Sequence, residues 1–328
     1  ESDGLFATIY SDRAGATPLA NPFTLSNSDR GLAYFHAAGA AYKIYAVDGS
    51  WSQTWRYQAL GTAAEYDVGS FIGSGQAPST VTTIAALKAL ATATYKIAVL
   101  NLGGQSGTFV FVSGNYASLV TADTLGGIYL KADDTATSSG AWVRVLTTDE
   151  LAPEWFGAAG DGTTDDTAAI AAALAMGMAV SLTAGKTYKT TSGLTISTNY
   201  QRFGGPGQLK PVGSFDAVTV NGACVGVTLD LTMICASQSG GVAVNINNAN
   251  RVHIRKLHIP DGGYNALNVQ KANTVVVDYL YAPALRGSYG VRWYGDGSNR
   301  SDILVLRDGI VSFATSGTAR GIDWDGNC

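Results

Sequence analysis

Five short apolar segments recur at nearly even intervals in the second half of the chain, and this recurrence restricts the possible folds more than any other feature. They are AVTV at 217–220, AVNI at 243–246, ALNV at 266–269, GVRW at 290–293 and GIDW at 321–324, with starts 26, 23, 24 and 31 residues apart. A second β-rich run follows each of the first four: VGVTLDL, RVHIRKLHI, TVVVDYLY and SDILVLRDGIV. Turn residues (Gly, Asn, Asp, Ser) lie between. A unit of this length cannot bury an apolar face alone, so such units are stable only when stacked.

Strand alternation then assigns faces. One column is Val218, Val244, Leu267, Val291 and Ile322; a second is Val220, Ile246, Val269, Trp293 and Trp324. Both are apolar in every row and are expected to point inward. The opposite parity carries Thr219, Asn245, Asn268, Arg292 and Asp323, all polar and expected outward. Trp293 and Trp324 would suit sugar stacking, but their register assigns them to the core. Arg292, Tyr294 and Asp325 have the outward parity, and Arg292 and Tyr294 are the candidates for ligand contact.

Ahead of the repeat stands WFGAAGDGTTDDTAAIAAAL, residues 155–174. The alanine run favours a helix, with Gly177 as its stop. Ile170, Leu174 and Met178 recur at i, i+4 and i+8 among small residues, so the helix can lie close to another surface. Adjacent helical residues point about 100° apart, so Asp165 and Asp166 cannot easily flank one scissile bond. Asp161, Thr164, Asp165 and Asp166 are expected to hold the helix start, where carboxylates accept orphan N–H groups and face the positive end of the dipole. A phosphate loop is excluded: Gly185-Lys186-Thr187 is present, but position 180 is Val where the motif needs Gly.

W-F-G-A-x-G-D-G-x-T-D-D-T-x-A-I resembles the opening motif of the pectate-lyase-like superfamily, the right-handed parallel β-helices of phage tailspikes and polysaccharide-active enzymes. AVSLTAGKTYKTTSGLTI, residues 179–196, is similar to the first strands of that fold. The resemblance implies a structural role for Asp165 and Asp166, on a helix that closes the open end of the coil stack.

Upstream, ATIYSDRAGATPLANPFTLSNSDRGLAYFHAAGAAYKIYA alternates in the β manner between turn-rich stretches. It resembles the N-terminal modules that fix phage tail fibres and tailspikes to the virion. GSFIGSGQAPS reads as a linker. STVTTIAALKALA, residues 79–91, predicts a short helix capped by Ser or Thr, followed by strands in GTFVFVSG and GIYLKADDTATSSGAWVRVL. That order resembles the small domain preceding the body of many tailspikes. The expected fold is mainly β: an antiparallel attachment module with linker (1–75), a small helix-plus-β module (76–152) and the start of a right-handed parallel β-helix (153–328), entered through a capping helix.

Visible chemistry is sparse. Charged residues make up 14% of the chain and the net charge is −4. No dense Lys/Arg run offers a nucleic-acid groove, and no apolar run spans a membrane. Three cysteines cannot form a paired framework, and Cys224 and Cys235 read as buried thiols. His253 and His258, five apart in one strand, are expected on opposite faces and cannot share a metal. No metal site and no cofactor are expected. All four glutamates lie at or before Glu154, so a carboxylate pair in the β-helix must be Asp–Asp. Asp296, Asp302, Asp323 and Asp325 are the candidates, each equally suited to a turn.

The row beginning at Gly321 breaks off at Cys328, from which the natural chain is expected to continue. The leading expectation is a phage tailspike or tail fibre, a receptor-binding protein on the virion exterior. It would be held to tail or head proteins through residues 1–75, be homotrimeric, and meet a host surface glycan, with degradation of that glycan left open. One rival is a freestanding polysaccharide lyase or hydrolase. Another is a structural virion fibre or head spike whose β-helix is only a stalk.

Overall fold

A computed structural model describes residues 78–294, 303–313 and 320–324. It also describes the backbone of five strands upstream: Ile9–Tyr10, Pro18–Leu19, His36–Ala37, Tyr42–Asp48 and Trp51–Gln58. The first three of these pair antiparallel in one small sheet and the last two in a hairpin. The chain divides into two compact units, Glu1–Pro78 and Ser79–Cys328.

The second unit begins with a five-stranded sheet and its own core of Val81, Leu87, Ala98, Leu100, Phe109, Leu130, Ala132 and Trp142. The predicted helix over 79–91 is shorter than its pattern suggests. Ser79–Val81 is a strand, pairing parallel with Ile97–Leu100, and only Ile84–Lys88 is helical. The β-branched run wins at the sheet edge, and Thr83 starts the helix by accepting the Ala86 N–H at 3.0 Å. Arg144 is buried beneath this module. Its guanidinium donates to the carbonyls of Gln105, Ser106 and Gly127 and lies 5.1 Å from the Trp155 ring. Burial pulls its pKa down to about 10.

The remainder is a parallel β-helix. Its first sheet, sheet A, runs Glu150–Leu151, Ala179–Ser181, Arg202–Pro211, Thr228–Met233, Val252–His258, Thr274–Leu285 and Ile303–Phe313. Its second, sheet B, runs Leu194–Ile196, Val218–Val220, Val242–Asn247, Asn265–Gln270, Tyr289–Tyr294 and Arg320–Trp324. Every pairing along both sheets is parallel.

The five sequence rows lie in the register their alternation demands. Val218 pairs with Val244, Val244 with Leu267, Leu267 with Val291 and Val291 with Ile322. Leu194-Thr195-Ile196 adds an earlier rung, matched to Val218-Thr219-Val220. The inward columns are buried through Val291 and Trp293, while Ile322 is 60% exposed, with no following rung among the described residues. Sheet A supplies the facing column Val180, Phe203, Leu229, Ile254 and Val277. Each such side chain contributes about 1.5–3 kcal/mol by leaving water.

The helix Thr167–Ala175 packs on the first strands and buries Ala169, Ile170, Ala172, Ala173 and Leu174. Alanines on that face let its backbone approach the coil end closely. Gly177 (φ 74°) ends it in the left-handed turn that favours glycine. Buried Gln201 then donates to the Leu174 and Met178 carbonyls, tying the helix C-terminus to the second coil.

Candidate functional site

The Gly-Asp-Gly stretch forms a network of short polar contacts with divided roles. Asp165 accepts the Thr167 N–H and hydroxyl, and its other oxygen accepts the Thr191 hydroxyl. Burial opposes ionisation of Asp165, but these hydrogen bonds prevail and hold its pKa below the ordinary value. Asp166 occupies the N-cap position without a side-chain bond to the helix. Its carboxylate turns back and accepts the N–H groups of Ala159 (2.7 Å) and Gly160 (3.1 Å). Burial is the main cause that raises its pKa. Asp161 accepts the Thr163 and Thr164 N–H groups and the Thr164 hydroxyl, closing a local turn. These hydrogen bonds, the Thr164 N–H first, hold its carboxyl far below the usual range. Thus one of the four residues expected at the helix start, Asp165, bonds the first-turn N–H, while Asp166 fastens the preceding loop. Beside them, buried Glu154 accepts the Tyr188 hydroxyl at 2.8 Å and pairs with Lys186 at 3.3 Å.

The outer face of sheet B gathers three of the sequence candidates: Arg292, Tyr294 and Asp323. The polar column Thr219, Asn245, Asn268, Arg292, Asp323 is in register across successive coils. Its members bond along the axis: the Asn268 side-chain amide donates to the Asn245 side-chain oxygen (Oδ1), and the Asn245 amide donates to the Asp216 carboxylate. Asn268 is 6% exposed, because the neighbouring rungs enclose a short side chain more than parity alone predicts. Arg292 lies 3.6 Å from the Asp323 carboxylate, 4.5 Å from the Tyr294 ring and 5.8 Å from the Tyr289 ring. Tyr294 donates to Gln270 at 3.0 Å. An arginine held between two aromatic rings is a preorganised polar platform with apolar walls.

The same face does not assemble a hydrolytic pair from its described carboxylates. Four rungs of strand spacing separate Asp216 from Asp323 by roughly 19 Å or more, beyond the range that lets two carboxyls act on one glycosidic bond. Asp296, Asp302 and Asp325 lie outside the described residues.

Sheet A holds a cluster that strand parity did not reveal. The pairing slips by one residue between Leu229–Ile254 and Asp230–Lys256, so Arg255 is an extra, bulged residue. The bulge rephases the strand, and His253 and His258 both face outward, contrary to the opposite faces expected from their spacing. His253 lies 2.6 Å from Asp278, Arg307 donates to Asp278 at 3.0 Å, and Lys256 pairs with Asp230 at 3.2 Å. His258 packs against the Tyr281 ring at 5.0 Å. Among the described residues no group of three or more His, Cys, Asp or Glu could hold a metal ion, and no helix is long and apolar enough to cross a membrane.

Comparison with known proteins finds no matching family model and no matching curated protein. Among solved structures, the chain is similar to the enzymatically active domain of tailspike protein 2 of bacteriophage CBA120. That match has 13% identity and a TM-score of 0.30, and covers 80% of this chain and 57% of the other. The full-length tailspike protein 2 of an Escherichia coli bacteriophage matches at 14% identity and TM-score 0.30, over 93% of this chain and 59% of the other. A third match is Pantoea stewartii WceF, described as a glycan biofilm modifying enzyme with a bacteriophage tailspike-like parallel β-helix fold. Its identity is 14% and its TM-score 0.25, over 96% of this chain and 59% of the other. The chain thus spans less than two thirds of the length of each of these structures.

Proposed function

We propose that this chain belongs to a phage tailspike or tail fibre and recognises a bacterial surface polysaccharide along the side of its β-helix. The observation that carries the reading is the sheet B column, in which Arg292 is held between Tyr289 and Tyr294 and continues into the Asn268–Asn245–Asp216 chain. A linear glycan laid parallel to the axis would meet Thr219, Asn245 and Arg292 in turn, with the buried Asn268 bonded to Asn245 between them. The tyrosine rings offer stacking surface to sugar C–H faces, and the amides and guanidinium offer hydrogen bonds. In this reading residues 1–75 attach the protein to other virion proteins, and three copies assemble. The opening motif at 155–170 and the β pattern at 7–46 support those parts through their resemblance to tailspikes.

The test is binding of the whole chain to purified capsular and lipopolysaccharide preparations. Arg292→Ala and Tyr294→Ala should each weaken retention on the cognate glycan about tenfold, the loss of roughly one charge-assisted or stacking contact. Retention by both variants equal to that of the parent chain would sink the assignment. Release of new reducing ends or unsaturated uronates during incubation would move the reading to a depolymerase. Light scattering that gives a monomer would remove the trimer.

A further inference from the structure

Asn221-Gly222 is the one Asn-Gly step in the chain. It stands at the corner after the sheet B rung Val218–Val220, and both residues are exposed. The Asn221 side chain folds onto its own backbone, where its Oδ1 accepts the Gly222 N–H at 2.6 Å. A C=O bond is about 1.2 Å long, so the Gly222 nitrogen lies no more than ~3.8 Å from the Asn221 Cγ. That upper bound is close to the separation of about 3–3.5 Å at which two groups are poised to react.

The nitrogen is also available. Among the described residues the Gly222 N–H has no other hydrogen-bond acceptor. Glycine has no Cβ to shield it, and its φ of 86° lies in the left-handed region that glycine enters without steric cost. Neighbouring coils show the contrast. Val220 pairs with Ile246, so Asn247 occupies the Asn221 place one coil on. The N–H that follows it, on Asn248, donates to the Gln270 carbonyl at 3.0 Å. After Asn199, the Tyr200 N–H donates to the Val225 carbonyl at 2.7 Å, and the Asn199 side chain accepts the Val225 N–H. Both of these amides are fixed between coils, and both belong to residues with larger side chains. At the glycine corner the amide nitrogen is left facing the preceding side chain.

We propose that Asn221 is a site of spontaneous covalent modification, converted through a succinimide to isoaspartate and aspartate. The Gly222 nitrogen gives up its proton to solvent base and bonds to Cγ. The Cγ–Nδ2 bond breaks, and Nδ2 leaves as ammonia with a proton returned from solvent. Water then opens the ring at one of its two carbonyls. Cleavage of the Cγ–N bond yields aspartate. Cleavage of the bond between the Asn221 main-chain carbonyl and that nitrogen yields isoaspartate, whose main chain runs through Cβ and Cγ. Either product adds a carboxylate to the corner. Isoaspartate also lengthens the chain by one atom between two ties to neighbouring coils, the Asn221 N–H to Ile196 and the Ala223 N–H to Asn248. The proposal does not depend on the glycan-binding reading.

The experiment is incubation of the whole folded chain at mildly alkaline and mildly acidic pH, followed by proteolysis and peptide mass spectrometry. The peptide holding Asn221 should gain about one dalton, NH exchanged for O, and separate into two isomers, one of them a substrate for an isoaspartate-specific methyltransferase. Conversion should be faster at alkaline pH, because ring closure needs the amide proton removed. It should be at least ~10-fold faster than at Asn199 or Asn247, where the attacking nitrogen is held elsewhere. Asn221→Gln, an exposed change that leaves the ties between coils in place, should slow the gain at this peptide at least ~10-fold, because a longer side chain must close a larger ring. No mass gain at Asn221, an equal rate at Asn247, aspartate without isoaspartate, or an unchanged rate in Asn221→Gln would each overturn the proposal. So would a rate at least ~10-fold lower in the folded chain than in guanidinium, since the folded corner would then be holding the two groups apart.

Discussion

Replacing Asp166 by alanine tests whether this residue anchors the loop or caps the helix. Its carboxylate is nearly inaccessible, at 1% exposure for the residue, and takes two backbone N–H groups, those of Ala159 and Gly160. Removing it leaves both amides without their partner. An unsatisfied buried amide costs about 1–3 kcal/mol; these two are partly buried, so the lower half of that range applies to each. Loss of a carboxylate beside the helix N-terminus adds about 0.5 kcal/mol, and relief of its own desolvation returns a similar amount. The net expectation is a loss of about 2–4 kcal/mol for Asp166→Ala. Asp165→Ala removes an exposed first-turn contact and should cost only about 1 kcal/mol. A stack of coils need not unfold in one step, so the local opening free energy is the right quantity. Hydrogen exchange followed by mass spectrometry on peptides covering 157–166 reads it directly. Equal losses in the two variants, or a larger loss in Asp165→Ala, would refute the loop-anchor role.

The same carboxylates give opposite pH signatures. Asp161 has a folded pKa below its unfolded value, so its contribution is complete above pH ~4 and disappears as pH falls through the folded value. The Asp161→Asn penalty should therefore be present at pH 7 and absent in strong acid. Asp166 has a raised folded pKa, so the fold favours its protonated form and stability from this group falls as pH rises through that value. Its Asn variant should show a larger penalty in acid than at neutrality, again read by hydrogen exchange. Leu267→Ala, fully buried and in register with Val244 and Val291, should cost about 3–4 kcal/mol because strand spacing prevents the coils from collapsing on the cavity. Thr219→Ala, on the outer face, should cost under ~1 kcal/mol when the two variants are compared by guanidinium titration; similar costs would overturn the facing. Gly204→Ala should block coil stacking, since a Cβ there would overlap the Asp230 carbonyl of the next coil and Gly204 has φ 152°. Loss of about 3 kcal/mol or more, or insolubility on expression, is expected. Cys224 and Cys235 are buried with thiols pushed up by desolvation, so a thiol reagent should reach them only after denaturation.

The repeat rows, their inward columns and the parallel stack could be read from the chain because each depends on spacing and alternation alone. Val218, Val244, Leu267 and Val291 must share a face once the coil length is known, since any one-residue slip would turn every apolar side chain to water. The closing helix was legible for a similar reason: alanine content and a following glycine are local properties. What the sequence left undecided is nonlocal. Asp165 and Asp166 are neighbours with the same chemistry, and only the loop folding back at Ala159 decides which of them meets the helix. The bulge at Arg255 carries no composition signal, yet it brings His258 onto the outer face where His253 meets Asp278, a residue twenty-five positions further along the chain. Alternation says which residues face out; which outward residues from different coils meet depends on register shifts that exist only once the coils are stacked.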